Sequence, residues 1–128
     1  MLLPAHPRLR ARLQEQGLTP GERVRLCEPL GYLDMMQLER CARFILTDSG
    51  GVQKEAYFHA VPCITLRAET EWTETVDSGW NQLADADEAR ILAAMQRAAA
   101  PAQHPPLFGD GHAADRIAEL LLSACPRS

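Results

Sequence analysis

Short apolar segments alternate with helix-forming segments along the whole chain, and this alternation restricts the possible folds more than any other feature of the sequence. Short strands are predicted at residues 1–5, 24–27, 44–47, 63–66 and, more briefly, 81–83. Helices are predicted where apolar residues recur at helical spacing, namely 7–17, 32–42, 51–60, a segment through 91–95 that ends before Pro101, and 113–124. Strands that alternate with helices favour βαβ units and a parallel sheet covered on both faces. The predicted fold class is therefore α/β, with a Rossmann-like, three-layer parallel sheet.

Length and composition predict one globular domain that spans residues 1–128. Of these residues, 46% are hydrophobic and 23% are charged, which is an ordinary globular balance. The net charge of −4, without a basic run, argues against a nucleic-acid or anionic-membrane partner. No apolar stretch approaches the roughly 20 residues that span a bilayer, and the N-terminal segment lacks the apolar core of a signal peptide. The expected location is cytoplasmic.

The four cysteines lack the paired spacing of a metal site. Cys27, Cys41, Cys63 and Cys125 contain no C-x-x-C pair. We therefore expect them to be small buried side chains in a reducing compartment. Neither a metal nor another cofactor is expected.

The segment 45–56, ILTDSGGVQKEA, places two adjacent glycines where a predicted strand passes directly into a helix. The first amides of a helix have no intrahelical partners and carry partial positive charge, so glycine there lets an anion approach closely. Ser49, Gly50 and Gly51 are therefore a candidate phosphate site, and the Ser49 hydroxyl can also cap the helix. A purely steric role of glycine in a tight turn is the alternative. Asp48 would repel a phosphate, so we interpret it as a structural residue turned away from the ligand.

Other polar residues also follow predicted strands, at the C-terminal edge of the sheet where ligands bind in such folds. These residues are His6 and Arg67. Glu55 lies about one turn inside the helix that follows the glycines. It is either a solvated surface charge or a carboxylate that accepts both hydroxyls of a ribose. The convergence of these residues on one edge indicates a ligand site better than any one of them alone.

The segment 69–75, ETEWTET, gathers Glu69, Glu71 and Glu74 around Trp72. Such a loop could bind sugar hydroxyls through its carboxylates. It could equally be a polar loop with Trp72 packed on the surface, and the spacing alone leaves both interpretations open.

Residues 29–83, PLGYLDMMQLERCARFILTDSGGVQKEAYFHAVPCITLRAETEWTETVDSGWNQL, resemble the C-terminal half of the non-hydrolysing UDP-N-acetylglucosamine 2-epimerases. The resemblance extends from PAHPR near the start to FGDGHAADRI near the end, and the combination of TDSGGxQxEA with LRxxTEW is specific. The TEWTETVDSGWN segment is similar to the branch that acts on UDP-GlcNAc or its 2,3-diacetamido-uronic acid relatives. The resemblance implies one half of a two-domain glycosyltransferase-B fold, in which the C-terminal domain mainly holds the nucleotide.

The resemblance also implies roles for individual residues. The segment 49–51 matches the diphosphate-binding turn of the family, and Glu55 matches its ribose-binding carboxylate. His6 matches the active-site histidine of the HPR segment. Met35 stands where many members place an aromatic residue against the uracil, so stacking on the base would be weaker.

The resemblance places the remaining substrate contacts in the loop that contains Arg67, Glu71 and Trp72. Trp72 stands where the bacterial branch has an arginine, which changes the expected sugar and phosphate contacts. The implied ligand is a UDP-sugar, UDP-GlcNAc or a related diacetamido sugar.

The chemistry implied by the resemblance is anti elimination of UDP to a 2-acetamidoglucal, followed by re-addition with inversion at C2. The family's carboxylates for this chemistry lie on the N-terminal domain, which we expect this chain to lack because it begins at the HPR strand. We expect a UDP-sugar-binding domain that is inactive alone and that self-associates or binds a separate N-terminal-domain partner. A non-catalytic UDP-sugar-binding or assembly module and the donor half of a glycosyltransferase are the alternatives. The TDSGGxQxEA and FGDG pair favours the epimerase over the glycosyltransferase.

Overall fold

The computed structural model describes residues 1–124 of the chain. Its strands are β1 (Leu2–Pro4), β2 (Arg25–Cys27), β3 (Ile45–Thr47), β4 (Cys63–Thr65) and β5 (Asn81–Leu83). Its helices are α1 (Pro7–Glu15), α2 (Tyr32–Arg40), α3 (Gly50–Phe58), α4 (Thr73–Asp77), α5 (Glu88–Arg97) and α6 (Ala113–Ala124). Strands and helices alternate from β1 to α5, and backbone contacts divide the chain into two compact units that meet between Cys41 and Ala42 in the sequence.

The first unit contains a two-stranded parallel sheet and two helices. Strand β1 pairs in parallel with β2, so that Leu3 lies opposite Leu26. Helix α1 begins at Pro7, whose fixed φ suits the first turn of a helix, and the chain leaves the helix through Gly17 at φ +63°. Only Ala5 and Glu39 are buried among the residues of this unit. The first unit therefore has almost no interior of its own.

The second unit is built on a three-stranded parallel sheet with β4 in the centre. The register aligns Ile45 with Cys63 and Cys63 with Asn81, and it continues in step to the end of each strand. All three residues of β4 are buried. A central parallel strand is covered on both faces, which explains why the chain is buried without interruption from residue 61 to residue 65.

The core of the second unit is formed by one large side chain and several small ones. Ile64 is fully buried and packs with Ala84, Ala94 and Ala98. Small alanine side chains let α5 approach the sheet closely, and α5 contributes Ala94 to the cluster. Burying a side chain of the size of Ile64 stabilises the fold by about 1.5–3 kcal/mol. Helix α6, in contrast, buries none of its residues.

The structure confirms the predicted α/β, Rossmann-like class, because all paired strands are parallel and alternate with helices. The observed elements agree with the predicted ones to within a few residues. Helix α4 was not predicted, since its residues are polar and lack apolar periodicity. Its buried Thr75 accepts a hydrogen bond from Asn81 Nδ2 at 3.2 Å, so tertiary contacts stabilise this short helix.

The prediction of buried cysteines is only partly correct. Cys63 is buried, and burial raises the pKa of its thiol to about 11. Cys27 is half-buried, and Cys41 is exposed because it ends α2 on the outside of the first unit. Cys125 lies outside the described residues. None of the helices described in residues 1–124 is long and apolar enough to cross a bilayer.

Candidate functional site

The turn between β3 and α3 exposes unpaired backbone donors. Ser49 caps α3, because its Oγ accepts a hydrogen bond from the Val52 amide at 3.5 Å. The Ser49 amide donates to Thr47 Oγ1 at 3.0 Å. The amides of Gly50 and Gly51, which follow, have no acceptor within residues 1–124. Two free N–H groups thus lie at the positive end of a helix, where an anion is favoured.

The two glycines of this turn do not have the backbone conformations for which glycine is usually needed. The glycines with left-handed φ values lie elsewhere, at Gly17, Gly79, Gly109 and Gly111. A Cβ atom on Gly51 would meet only Ser49 Oγ, at 3.7 Å. A Cβ atom on Gly50 would lie at ordinary contact distance, 3.4 Å from Trp72 Nε1 and 3.5 Å from Glu71 Oε2. Glycine is about 1 kcal/mol less favourable than alanine in a helix, so local conformation does not explain this pair, whereas close approach of a ligand would.

An ion pair lies in the loop that follows β4. Arg67 donates to Glu71 through both guanidinium arms, with Nη2–Oε1 at 2.9 Å and Nη1–Oε2 at 3.3 Å. This hydrogen bonding to Glu71 raises the pKa of Arg67, and the charges of Glu69 and Asp48 act in the same direction. In return, the guanidinium lowers the pKa of Glu71. Asp48 therefore acts electrostatically on Arg67, and its orientation away from a phosphate stays a prediction.

Glu55 is half-buried on α3. Its carboxylate makes no side-chain hydrogen bond or ion pair with any residue in the described part of the chain. Withdrawing a carboxylate from water without a partner is unfavourable. This environment differs from that of a fully solvated helix charge and suits a carboxylate that receives its donors from a ligand.

Trp72 is held by aromatic and cationic neighbours but leaves its own donor unused. The ammonium Nζ of Lys54 lies 4.3 Å from the centroid of the Trp72 ring and 4.7 Å from that of Phe108. Phe108 also packs edge-on against Trp72 at 5.9 Å between centroids. Trp72 Nε1 is buried and has no hydrogen-bond acceptor within residues 1–124. A buried donor without a partner costs about 1–3 kcal/mol, and this N–H shares that condition with the Nε2 amide of Gln53 in the described part of the chain.

A buried hydrogen-bond network joins α3 to the loop after β4. Gln53 Oε1 accepts from Thr70 Oγ1 at 2.5 Å and from Asn81 Nδ2 at 3.2 Å. Asn81 in turn donates to Thr75 and accepts from Thr65 Oγ1 at 2.8 Å. These side chains come from α3, β4, α4, β5 and the loop, so the network fixes the loop against the helix. The residues that TDSGGxQxEA and LRxxTEW contribute to the site are thereby held together.

Seven residues of this arrangement were not assigned a role from the sequence, namely Gln53, Lys54, Thr65, Thr70, Thr75, Asn81 and Phe108. Gln53 and Thr70 are fixed letters of the two motifs, which was the available signal that they matter. Phe108 begins the FGDG segment, which entered the resemblance as a motif without a role for Phe108 itself. Lys54 gave no signal, because a lysine on a helix normally indicates a solvated face.

His6 and Met35 belong to the first unit. His6 is exposed and caps α1, with its Nδ1 accepting from the Arg8 amide at 3.3 Å. Its other ring nitrogen makes no hydrogen bond within residues 1–124. Met35 is half-buried in the first turns of α2, where its amide donates to the Gly31 carbonyl at 2.9 Å. The predicted residues thus fall into two groups, one in each unit.

Neither a metal-binding cluster nor a cavity adds to the site in the described residues. No group of three or more histidine, cysteine or acidic side chains within residues 1–124 could hold a metal ion. An open cavity of about 420 Å³ lies between β5 and α5, and none of the predicted site residues line it.

Comparison with known proteins gives a consistent set of relatives. The sequence profile of the UDP-N-acetylglucosamine 2-epimerase family matches residues 1–122. A UDP-N-acetylglucosamine 2-epimerase homolog of Methanococcus maripaludis is 44% identical over 126 residues, covering 94% of this chain and 35% of the relative. A UDP-2,3-diacetamido-2,3-dideoxy-D-glucuronate 2-epimerase of Pseudomonas aeruginosa is 41% identical over 123 residues, covering 94% of this chain and 34% of the relative.

Solved structures agree with the sequence comparisons. The UDP-GlcNAc 2-epimerase of Methanocaldococcus jannaschii, in complex with UDP-GlcNAc and UDP, superimposes with a TM-score of 0.81 at 38% identity. The match covers 95% of this chain and 35% of that structure. The enzyme of Neisseria meningitidis bound to UDP-GlcNAc gives a TM-score of 0.69 at 28% identity, over 95% of this chain and 36% of that structure. The chain spans about a third of the length of the relatives it matches.

Proposed function

Because the chain belongs to the UDP-N-acetylglucosamine 2-epimerase family, we propose that its 128 residues form a UDP-sugar-binding domain of such an enzyme. The observation that carries the proposal is the pair of free amides at Gly50 and Gly51, next to the Ser49 hydroxyl at the start of α3. A diphosphate carries the negative charge that this helix end favours, and its oxygens accept hydrogen bonds from these donors. The glycines keep the backbone bare, which allows the phosphate oxygens to reach it.

Glu55 is the proposed ribose ligand. It lies on the same helix as the glycines, one turn further on, and its half-buried carboxylate has no protein partner among the described residues. A carboxylate can accept from two neighbouring hydroxyls at once. Glu55 and the glycine turn would together hold the ribose and the diphosphate of UDP.

The remaining predicted residues complete the proposed substrate contacts. Arg67, Glu71 and Trp72 lie on the loop that the buried network fixes against α3, and we assign them to the sugar and its phosphates. Met35 is assigned to the face of the uracil, where a thioether can pack on the base. His6 is the proposed catalytic residue, since its exposed imidazole ring can both take up and release a proton.

The proposed reaction of the whole enzyme is epimerisation at C2 by elimination and re-addition of UDP. Elimination needs a leaving group that stays bound, and the donors of the α3 turn would stabilise the UDP anion as it departs. A proton must also be removed from C2 on one face of the sugar and returned on the other, which requires more than one positioned acid or base. His6 alone cannot fill both positions. The carboxylates that complete the reaction are therefore proposed to come from outside these residues or from a partner chain.

Calorimetric titration with UDP tests the proposed binding site. A hydrogen bond to a charged group contributes about 1.5–3 kcal/mol, so Glu55→Ala is expected to weaken UDP binding about tenfold to a hundredfold. Glu119→Ala, which removes an exposed carboxylate from α6, is the matched control and should bind UDP like the wild-type chain. Equal affinities of the wild type and Glu55→Ala would return Glu55 to an ordinary surface charge.

Deuterium exchange tests the proposal that these residues bind but do not epimerise alone. The 128-residue chain is incubated with UDP-GlcNAc in deuterated water, and C2 is monitored by NMR. We expect no deuterium at C2 above the buffer background. Exchange that disappears in His6→Ala would show instead that this part of the enzyme suffices for proton abstraction.

A further inference from the structure

We propose that the indole N–H of Trp72 donates a hydrogen bond to the diphosphate at the α3 turn, and that Lys54 and Phe108 position the ring for this contact. The inference rests on the proposed UDP site and adds a donor that is neither a backbone amide nor a hydroxyl. It assigns Trp72 to the phosphates rather than to the sugar hydroxyls.

The indole donor of Trp72 lies next to the α3 turn. Trp72 Nε1 lies 3.4 Å from the position that a Cβ atom would take on Gly50, which places it beside the start of α3. The same N–H has no acceptor among the described residues. An indole nitrogen can only donate, so neighbouring N–H groups cannot satisfy it and only an acceptor can. An anion bound at the α3 turn would supply that acceptor.

The free protein already places negative charge at this point. Glu71 Oε2 lies 3.5 Å from the same Cβ position on Gly50. The Glu71 side chain is 59% exposed, and the one other residue of the described chain that holds its carboxylate is Arg67, so it can swing away from the α3 turn. A diphosphate carries more charge than one carboxylate and can take over both Arg67 and the helix end. Departure of Glu71 would uncover the Trp72 N–H for the ligand.

Glu71 has to move, but the Trp72 ring has to stay in place. Lys54 and Phe108 hold that ring. The Lys54 ammonium lies 4.3 Å from the Trp72 centroid, and Phe108 lies edge-on to the same ring with an interplanar angle of 89°. A cation over the ring face fixes its orientation by cation–π attraction. It also draws electron density from the ring, which makes the N–H a stronger donor. Lys54 and Phe108 thus act through Trp72 and not on the ligand.

Removal of the N–H alone tests the donor. Trp72→Phe keeps an aromatic ring for Lys54 and Phe108, and we expect UDP affinity to fall about tenfold to a hundredfold in calorimetry. Uridine affinity should not change, because uridine has no phosphate. Trp80→Phe is the matched control: Trp80 Nε1 donates to the Gln103 carbonyl at 2.8 Å, and its loss should leave UDP affinity unchanged. An equal loss of uridine and UDP affinity in Trp72→Phe would indicate a structural role and overturn the proposal.

The separate failures can be told apart. If wild type binds UDP, Glu55→Ala binds weakly and Trp72→Phe binds like wild type, the donor proposal is wrong and the proposed site stands. If wild type does not bind UDP, both are wrong.

The positioning role is tested on Lys54. Lys54→Gln should lower UDP affinity about twofold to fivefold without changing uridine affinity. Lys54→Arg, which keeps the positive charge, should bind UDP like the wild-type chain. With Trp80→Phe as background, Trp72 is the remaining tryptophan, and its fluorescence should change with UDP but not with uridine. Wild-type UDP affinity in Lys54→Gln, or an unchanged emission on UDP binding, would overturn the assignment.

Discussion

The two units of the chain carry their proposed functional residues in different ways. The first unit buries only Ala5 and Glu39, and its residues His6 and Met35 are fixed by local helix capping and backbone contacts. The second unit has a buried central strand, an apolar core and a polar network, and these hold the α3 turn and the loop after β4. Precise placement of polar groups thus depends on the buried interior behind them. We therefore assign most of the binding energy for UDP to the second unit.

The largest expected effect is on the core of the second unit. Ile64→Ala should lower the free energy of unfolding by about 2–5 kcal/mol, since it removes a fully buried side chain and leaves a cavity. Leu33→Ala in the first unit should change it by less than about 0.5 kcal/mol, because Leu33 is 77% exposed. Urea unfolding followed by circular dichroism measures both. Similar losses of unfolding free energy in the two variants would contradict the conclusion that the second unit has the larger buried interior.

A substitution in the polar network should lower the free energy of unfolding almost as much. Asn81→Ala removes one hydrogen-bond partner from each of the buried residues Gln53, Thr65 and Thr75. We expect the free energy of unfolding to fall by about 2–3 kcal/mol. Gln14→Ala, which removes an exposed amide from α1, is the control in the first unit and should be nearly neutral. The same urea titration compares them. A neutral Asn81→Ala would mean that the network does not support the loop.

A pair of glycine substitutions separates folding from binding. Gly17→Ala forces a Cβ atom into a left-handed conformation at φ +63° and should destabilise the chain by about 1–2 kcal/mol with no effect on UDP affinity. Gly50→Ala should fold as well as wild type, or better by up to about 1 kcal/mol, because alanine is the better helix former. Its methyl group would occupy the mouth of the α3 turn, so UDP affinity should fall at least about tenfold. Tight UDP binding by Gly50→Ala would refute the bare-backbone explanation.

The smallest expected effect concerns the exposed ion pair. The pKa of Glu71 is lowered in the folded chain by Arg67, so its contribution to stability is present above the pKa of the unfolded chain and disappears as pH falls through the folded value. Glu71→Gln should therefore lower the urea midpoint slightly at pH 7, and the two proteins should coincide once the pH is well below the folded pKa of Glu71. A difference that persists in acid would show that Glu71 stabilises the chain by some means other than its charge.

The sequence was sufficient for the fold class and for most elements, because apolar periodicity and strand–helix alternation reflect burial directly. It missed α4, whose stability comes from the contact between Thr75 and Asn81, residues that are apart in sequence. It also misjudged Cys41, since a small side chain at a helix end gives no signal of which way it faces. The motif predicted the candidate residues of the α3 turn, whose binding role stays a prediction, but it did not predict the contact of Lys54 with Trp72. Such contacts depend on how distant segments meet, which no local pattern encodes.

The bridge from Gln53 to Thr70 and Asn81 also constrains how this sequence can evolve. The Gln53 amide oxygen accepts hydrogen bonds from both Thr70 and Asn81, so a change at position 53 leaves donors in two other segments without their acceptor. Compensation then requires coordinated replacements in those segments, and single steps away from the present trio pass through a less stable intermediate. A library randomised at positions 53, 70 and 81 and selected for UDP binding should return correlated triplets rather than independent choices. The TDSGGxQxEA and LRxxTEW motifs would accordingly change together in evolution and not independently.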